Sequence, residues 1–123
     1  MKKEAKSIRP FIGSKDYEVS RAFYRHLGFQ EIVLEAKLCL FRTENIGFYL
    51  QDYYAKDWVD NTMVFVEVED VDTYFKTLSA LDFPFKFPGS RLTAPREYDW
   101  GKECFVHDPC GILWHFGQFK GNS

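Results

Sequence analysis

The sequence has few cysteines, little excess charge and no long hydrophobic run, and each of these absences excludes a class of protein. Three cysteines, an odd number at positions 39, 104 and 110, do not make a disulfide framework, so we expect a reducing, cytoplasmic compartment. A formal net charge of −2 argues against a nucleic-acid partner, because phosphate binding needs a basic face. No apolar run approaches the roughly 18 residues of a membrane span, and no signal-peptide core is present. We therefore expect no membrane partner.

Aromatic residues are abundant instead. The chain of 123 residues contains 13 Phe, 7 Tyr and 3 Trp, together 19% of the sequence. This is more ring surface than a core of this size requires, so part of it is expected to line a pocket or an interface. A core that is simply rich in phenylalanine is the alternative. A chain of this length supports one domain, or one domain built from two halves.

A β-hairpin is predicted near the C-terminus, where two runs rich in Val, Ile, Phe and Trp flank residues 108–111. These four residues read Asp-Pro-Cys-Gly, which is typical of a type I turn. Pairing the first of them with the last places Cys104 opposite His115 and Phe105 opposite Trp114. One face of the hairpin is therefore expected to carry into a cavity either the Trp114 side chain or the side chains of Cys104 and His115.

Two helices are predicted, each beginning after an aspartate whose side chain can accept the free N–H groups of the first turn. These aspartates are Asp16 and Asp70, and Gly28 is expected to end the first helix. Apolar residues recur at helical spacing after both aspartates. The expected buried stripes are Val19, Ala22, Phe23, His26 and Leu27 in the first helix, and Val71, Tyr74, Phe75, Leu78 and Leu81 in the second.

The order of predicted elements repeats along the chain. A shift of 54 residues places Asp16 on Asp70 and Leu27 on Leu81. Each half reads as βαβββ, which predicts a single α+β domain over residues 1–123 made of two modules, at about 7–56 and 61–119. One module alone leaves a sheet face uncovered, so the sheets are expected to curl into a cup or to pair with a second copy. Predicted strands cover residues 8–13, 29–35, 37–42, 46–52, 63–68 and 83–87, while residues 53–61 and 88–98 are expected to be irregular.

Two motifs accompany these paired modules. Residues 20–29 read Ser-x-x-Phe-Tyr-x-x-Leu-Gly-Phe, and residues 108–111 read Asp-Pro-x-Gly. Together they resemble the vicinal oxygen chelate superfamily, which includes glyoxalases, extradiol dioxygenases, and the fosfomycin and bleomycin resistance proteins. The resemblance covers nearly the whole chain and implies that superfamily's fold. It does not imply one function, because the superfamily holds both metalloenzymes and metal-free binders.

In the enzymes of this superfamily, four inward-facing positions supply His, Glu or Gln as ligands of a divalent metal ion. The resemblance places Arg9, Tyr49, Met63 and His115 at those positions. Only His115 is a competent ligand, and a catalytic ion needs about three protein ligands. We therefore expect no catalytic residue, no metal ion and no other cofactor, and we interpret the chain as a binding protein. The alternative is a metal-dependent glyoxalase-type lyase or thiol transferase with atypical ligands.

Within the superfamily, the sequence is most similar to the bleomycin resistance proteins. Residues 51–52 (Gln-Asp), 60–62 (Asp-Asn-Thr), 100–103 (Trp-Gly-Lys-Glu) and 108–116 (Asp-Pro-x-Gly-x-x-x-His-Phe) follow that group's pattern in order and spacing. Pro10 lies where the group has a proline that permits exchange of an N-terminal arm between subunits. Those proteins are dimers that sequester a cationic, planar drug at the subunit boundary. The resemblance implies a homodimer with a small-molecule ligand, for which a bleomycin-like compound is one candidate.

The candidate ligand-binding residues follow from the same resemblance and from strand parity. Trp100 is expected to stack on a flat ligand, and Phe65 matches an aromatic residue of the same cleft. Glu67 shares the inward side of its strand with Phe65, and an inward carboxylate suits a cationic ligand; if it is buried without one, Arg9 is the natural partner. The remaining candidates are Tyr49, Met63, Cys104 and His115.

Each of these candidates also has a structural interpretation. Trp100 and Phe65 are also suited to packing, and a histidine such as His115 is often a structural one. Cys104 and His115 as neighbours would allow a nucleophilic pair, although no third group that orients the imidazole can be named.

The sequence departs from the bleomycin resistance pattern at several cleft positions. Ile32 and Val33 stand where that group has an acidic and an aromatic residue, and Leu38 and Cys104 replace two further aromatic residues. We therefore expect the fold and the binding mode to persist with a different ligand.

Overall fold

The computed structural model describes residues 4–121, which form two four-stranded sheets and four helices. The first sheet has the strand order β1-β4-β3-β2 and the second β5-β8-β7-β6; in each, the first pair is parallel and the others are antiparallel. This confirms the predicted α+β class. The strands are β1 (Phe11–Ile12), β2 (Gln30–Glu35), β3 (Leu38–Thr43), β4 (Ile46–Gln51), β5 (Met63–Glu67), β6 (Arg91–Glu97), β7 (Gly101–His107) and β8 (Leu113–Phe119), and the helices are α1 (Tyr17–His26), α2 (Lys56–Asp60), α3 (Val71–Ala80) and α4 (Phe83–Lys86).

The two long helices begin where the aspartates predict. The Asp16 side chain accepts the backbone N–H of Val19 at 3.3 Å, and that of Asp70 accepts the backbone N–H of Thr73 at 3.2 Å. Both aspartates thereby satisfy donors that a helix N-terminus leaves free. None of the helices in the described part of the chain is long and apolar enough to cross a membrane.

The buried face of α1 differs from the predicted stripe. Tyr17, Ser20, Phe23 and Tyr24 are buried, whereas Val19 is exposed. Tyr17 and Tyr24 can face the core because the hydroxyl of each has a hydrogen-bond partner there. A prediction based only on the spacing of apolar residues does not include tyrosines of this kind.

A buried hydrogen-bond network joins the two halves of the chain. The Tyr24 hydroxyl donates to Oδ2 of Asp108 at 2.7 Å and accepts from Nε1 of Trp114 at 2.9 Å. Oδ1 of Asp108 accepts the backbone N–H groups of Cys110 and Ile112, both at 2.9 Å. Burial raises the pKa of the Asp108 carboxyl, and burial together with the Asp108 charge raises the pKa of the Tyr24 phenol. The network fixes the hairpin turn against α1.

The turn is of the predicted type, but the predicted strand pairing is wrong. The Gly111 N–H donates to the Asp108 carbonyl at 3.0 Å, as in a type I turn. Gly111 then adopts a φ of 102°, and the Asp108 N–H donates to the carbonyl of Ile112 at 2.9 Å. The loop therefore contains three residues and a bulge. The prediction paired Asp108 with Gly111, whereas in the structure Asp108 pairs with Ile112. Phe105 therefore lies opposite His115, and Cys104 opposite Phe116.

Three segments differ in secondary structure from the prediction. Residues 83–87 were expected to be a strand but contain the short helix α4, where Pro84 suits a first helical turn because its missing N–H is not needed there. Residues 88–98 were expected to be irregular but contain β6, whose pairing with β7 shifts between Thr93 and Arg96 at a bulge that accommodates Pro95. The loop expected at residues 53–61 contains α2. The second half of the chain runs β5-α3-α4-β6-β7-β8, so its three antiparallel strands begin later than a 54-residue repeat predicts.

Candidate functional site

One face of the second sheet packs against the core, and the opposite face is open. Trp114 and Phe116 of β8 are buried on the core side, so the alternating residues of the same strand point the other way. On that side two rows run across β7, β8 and β5. The first row is Phe105, His115 and Phe65, and the second is Glu103, Gly117 and Glu67. We call the surface formed by these rows with Met63 and Phe119 the open face.

An aromatic cluster occupies one end of the open face. Trp100 stacks on Tyr98 with ring centroids 5.4 Å apart and planes 4° apart. Its ring lies 5.3 Å from that of Phe119 and 6.2 Å from that of Phe65. Trp100 remains 38% exposed and Phe65 45% exposed. These four rings (Phe65, Tyr98, Trp100 and Phe119), which we call the aromatic cluster, present a partly solvated surface on which a flat molecule can stack.

His115 lies beside the cluster and has a fixed orientation. Its Nδ1 is 3.0 Å from Oε1 of Glu103, which is only 8% exposed, and its Nε2 is 3.4 Å from Sδ of Met63. The ring also contacts Phe105 edge-on at 5.2 Å. The sequence did not single out Glu103 as a partner. With the correct hairpin register, Phe105 lies opposite His115, and Glu103, two residues before Phe105, points to the same side of the sheet. This alternation would have identified Glu103.

Cys104 does not belong to the open face. It is fully buried on the core side of β7, and it faces Phe116 across the ladder instead of His115. The predicted contact between Cys104 and His115 is wrong, because the loop bulge shifts the register by one residue and thereby reverses the side on which each residue points. Burial also raises the pKa of the Cys104 thiol to about 11, so the thiol is protonated at neutral pH.

Tyr49 lies on the first sheet and does not join the aromatic cluster. Its ring stacks on Phe11 at a centroid distance of 4.7 Å, on the face of that sheet that also carries Leu40. Its hydroxyl accepts a hydrogen bond from Nη1 of Arg9 at 3.2 Å. Arg9, the partner that the sequence suggested for Glu67, is thus engaged by Tyr49.

Two cavities adjoin the open face, and Glu67 contributes to both. A cavity of about 520 Å³ lies between β4 and β5; residues 46–48 of β4 line one side, and residues 64–67 of β5 line the other. A second cavity of about 480 Å³ is lined by Glu67, Glu69 and Phe119, among others. The Glu67 carboxylate is exposed to solvent. Negative charge therefore lies at the edge of the aromatic cluster.

The fold of this chain is also found in known proteins. No family model matches the chain, and no curated protein matches it by sequence. Solved structures do match. A bleomycin-binding protein from bleomycin-producing Streptomyces verticillus, complexed with copper(II)-bleomycin, has a TM-score of 0.80 at 23% identity over 98% of this chain and 100% of that one. A bleomycin resistance determinant encoded on the transposon Tn5 has a TM-score of 0.78 at 17% identity, with 95% of this chain and 100% of that chain covered.

An enzyme has a similar structure. A lactoylglutathione lyase from Agrobacterium tumefaciens has a TM-score of 0.68 at 17% identity, with 94% of this chain and 96% of that chain covered. The chain has the vicinal oxygen chelate fold. The expected resemblance is thereby confirmed for the fold, which binding proteins and enzymes share.

The four positions that hold the metal ion in metalloenzymes with the vicinal oxygen chelate fold do not suit a catalytic divalent ion in this chain. Arg9 and Tyr49 hydrogen-bond to each other on the first sheet, and a guanidinium repels cations. Met63 and His115 lie together on the second sheet and offer one imidazole and one thioether. No group of three or more His, Cys, Asp or Glu residues is arranged around a common point within residues 4–121. A divalent ion prefers about three nitrogen, oxygen or thiolate ligands, which these residues do not supply.

Proposed function

We propose that this chain is a metal-free small-molecule binding protein that sequesters a flat aromatic or cationic ligand on the open face of its second sheet. The observation that carries the proposal is the partly exposed aromatic cluster, in which Trp100, Phe65 and Phe119 lie within 5.3–6.2 Å of one another. When a flat apolar molecule covers rings that are in contact with water, the removal of apolar surface from water favours binding. Cys104, the nucleophile that the sequence offered as a partner of His115, is buried and faces Phe116, which supports binding over catalysis.

The charge beside the cluster favours a ligand that carries a positive group. Glu67 is solvent-exposed and lies across Gly117 from the nearly buried Glu103. A cation held over an aromatic face gains from the ring quadrupole, and a nearby carboxylate adds to that attraction. A planar cation therefore fits the open face better than a planar anion does.

The complete site is proposed to form between two copies of the chain. Each sheet exposes large apolar side chains on its open side: Phe11 is 49% exposed on the first sheet, and Met63 is 63% exposed on the second. Apolar surface of this kind is usually covered in an interface or a ligand site. A homodimer that covers the exposed side chains of both sheets and holds the ligand on the open face accounts for both exposures. The same proposal includes a single domain of two modules and, because three thiols are free, a cytoplasmic location.

Fluorescence titration with bleomycin and with planar cationic dyes tests the ligand proposal. Trp114 lies in the core and Trp58 lies outside the aromatic cluster, so stacking on the open face should quench mainly Trp100. We expect saturable quenching that disappears in the Trp100→Phe variant and persists in the matched Trp58→Phe variant. Quenching that survives loss of Trp100, or no quenching by any planar compound at high micromolar concentration, would contradict the proposal.

Metal analysis separates this proposal from a metal-dependent lyase or thiol transferase. Protein purified without chelator should contain well under one equivalent of Zn, Ni, Mn or Fe. Near-stoichiometric metal, lost in the His115→Phe variant, would favour the enzyme instead.

Sedimentation measurements test the dimer. We expect Phe65→Asp to shift the protein towards monomer, because a buried unpaired carboxylate is costly at an interface. Phe85→Asp is the matched control, since Phe85 is 83% exposed in α4 and lies outside both open faces. A native protein that stays monomeric at high micromolar concentration would contradict the shared site.

A further inference from the structure

The position of the ring proton of His115 decides whether Nε2 can donate a hydrogen bond to the sulfur of Met63. An ionised Glu103 carboxylate can only accept, so Nδ1 of His115, 3.0 Å away, must carry the ring proton. In a neutral imidazole Nε2 is then left with a lone pair. The atom that faces Nε2 is Sδ of Met63 at 3.4 Å, and a thioether is also only an acceptor. With the ring proton on Nδ1, neither Nε2 nor Sδ has a hydrogen to donate to the other.

Nε2 of His115 is accessible from the open face. The Met63 side chain is on the edge strand β5 and is mostly exposed, so it can move aside without disturbing the core. The His115 side chain is 21% exposed and is held on its other side by Glu103. The ring of Phe65 lies 6.4 Å from the imidazole, with the two planes only 28° apart. A flat molecule stacked beside Phe65 would therefore bring its own edge close to Nε2.

We propose that the ligand of the open face carries an N–H or O–H group that donates a hydrogen bond to Nε2 of His115. The inference rests on the proposed binding function and narrows its ligand class to flat compounds with a hydrogen-bond donor on the ring edge. Glu103 is a positioning residue: its carboxylate holds the proton on Nδ1 and leaves Nε2 as the acceptor. A ligand without the donor leaves Nε2 unpaired when it excludes water from the site, and this penalty provides the selectivity.

A matched pair of probes isolates the hydrogen bond. Indole and 1-methylindole are both flat and neutral, and they differ in the N–H donor. Each is titrated into the full-length protein and followed by the shifts of backbone amides near Phe65 and Trp100. Native protein should bind indole about three- to tenfold more tightly, as one net neutral hydrogen bond predicts. In His115→Phe, which keeps an aromatic ring, the ratio should fall to about one. His107→Phe is the control, because it removes a neighbouring imidazole that Glu103 does not hold, and the ratio should persist there.

The role of Glu103 has its own spectroscopic test. Nitrogen-15 shifts of the imidazole distinguish a protonated ring nitrogen from an unprotonated one. In the native protein, Nδ1 of His115 should be protonated and Nε2 should not. In Glu103→Gln, which removes the charge but keeps the shape, the two tautomers should mix and the indole preference should decrease.

The outcomes distinguish this inference from the function on which it rests. Equal affinities of the two probes for native protein would overturn the donor requirement and leave the flat-ligand site intact. A preference for 1-methylindole would also overturn the donor requirement. Absence of saturable shifts with both probes at millimolar concentration would overturn the inference and the proposed site together.

Discussion

The ring of Phe65 lies directly over Gly117 of the neighbouring strand. A Cβ atom at position 117 would be 2.4 Å from Cζ of Phe65, closer than non-bonded carbon atoms approach. Gly117 therefore provides the space that allows the ring to lie against the sheet, where it contacts Trp100 and Phe119. The geometry of the aromatic cluster depends on a residue with no side chain.

Gly117→Ala should weaken ligand binding with little effect on stability. The obstructing atoms belong to the end of the Phe65 side chain, which is partly exposed and can rotate away. We expect the free energy of unfolding in urea to change by less than about 1 kcal/mol, while affinity for planar dyes decreases severalfold because the stacking surface is displaced. Phe65→Leu, which removes the ring without adding a clash, should lower affinity to a similar degree. Unchanged affinity in both variants would show that Phe65 is not part of the site.

In contrast to Gly117→Ala, Gly101→Ala should mainly lower the stability of the fold. A Cβ atom at position 101 would meet the backbone carbonyl oxygen of Gln118, which cannot rotate away as a side chain can, so β7 and β8 would have to separate. We expect a loss of about 1–3 kcal/mol in the free energy of unfolding, as for other overpacked sites. Urea denaturation of the two alanine variants side by side is the measurement. A Gly101→Ala variant no less stable than Gly117→Ala would contradict the close approach of the strands.

Tyr24→Phe should be more destabilising than Tyr17→Phe. Removal of the Tyr24 hydroxyl leaves Nε1 of Trp114 and a carboxylate oxygen of Asp108 buried without that partner. Each such group costs about 1–3 kcal/mol. The Tyr17 hydroxyl, also buried, donates only to the Cys39 sulfur at 3.2 Å, and a thiol is a weak acceptor. Urea denaturation measures both variants, and equal losses would mean that the network does not link the two halves energetically.

Stability should depend on the ionisation of Asp108. Burial raises the pKa of this carboxyl, although hydrogen bonds from Tyr24 and from the backbone N–H groups of Ile112 and Cys110 act in the opposite direction. The folded state therefore binds the proton more tightly than the unfolded chain, whose aspartates titrate near about 3.9. The associated stability is fully present below that pH and is lost as the pH rises through the folded-state pKa.

Comparison with Asp108→Asn, which cannot ionise, isolates this contribution. The free energy of unfolding of the native protein minus that of the variant should decrease as the pH rises above about 3.9 and then level off. Urea denaturation at a series of pH values from 3 to 7 provides the measurement. A difference that grows with pH would mean that the hydrogen bonds to the carboxylate outweigh its desolvation.

Features set by a few neighbouring residues were predictable from the sequence. The helix starts at Asp16 and Asp70 and the type I turn at residues 108–111 each depend on one side chain and on backbone geometry within a few positions. Strand parity also placed Met63, Phe65 and Glu67 on one side of β5 correctly, because alternation is a property of the strand itself.

The residues that form the site were less predictable, because an error of one residue in the strand register reverses the side on which every side chain of the strand points. Because the loop contains one more residue than predicted, at Gly111, His115 lies opposite Phe105 and not opposite Cys104. The Cys104 thiol therefore points into the core, and the His115 imidazole is held by Glu103. Tyr49, assigned to the same site from the resemblance, lies on the other sheet.

The sequence by itself determined the α+β class, the two capped helices and the abundance of aromatic residues, since composition, short-range propensity and periodicity encode all of these. Only the tertiary structure decided which rings contact Trp100, which carboxylate holds His115 and which cysteines are buried. Those contacts join strands that are distant in sequence, and the register between such strands depends on bulges and packing that no local pattern contains.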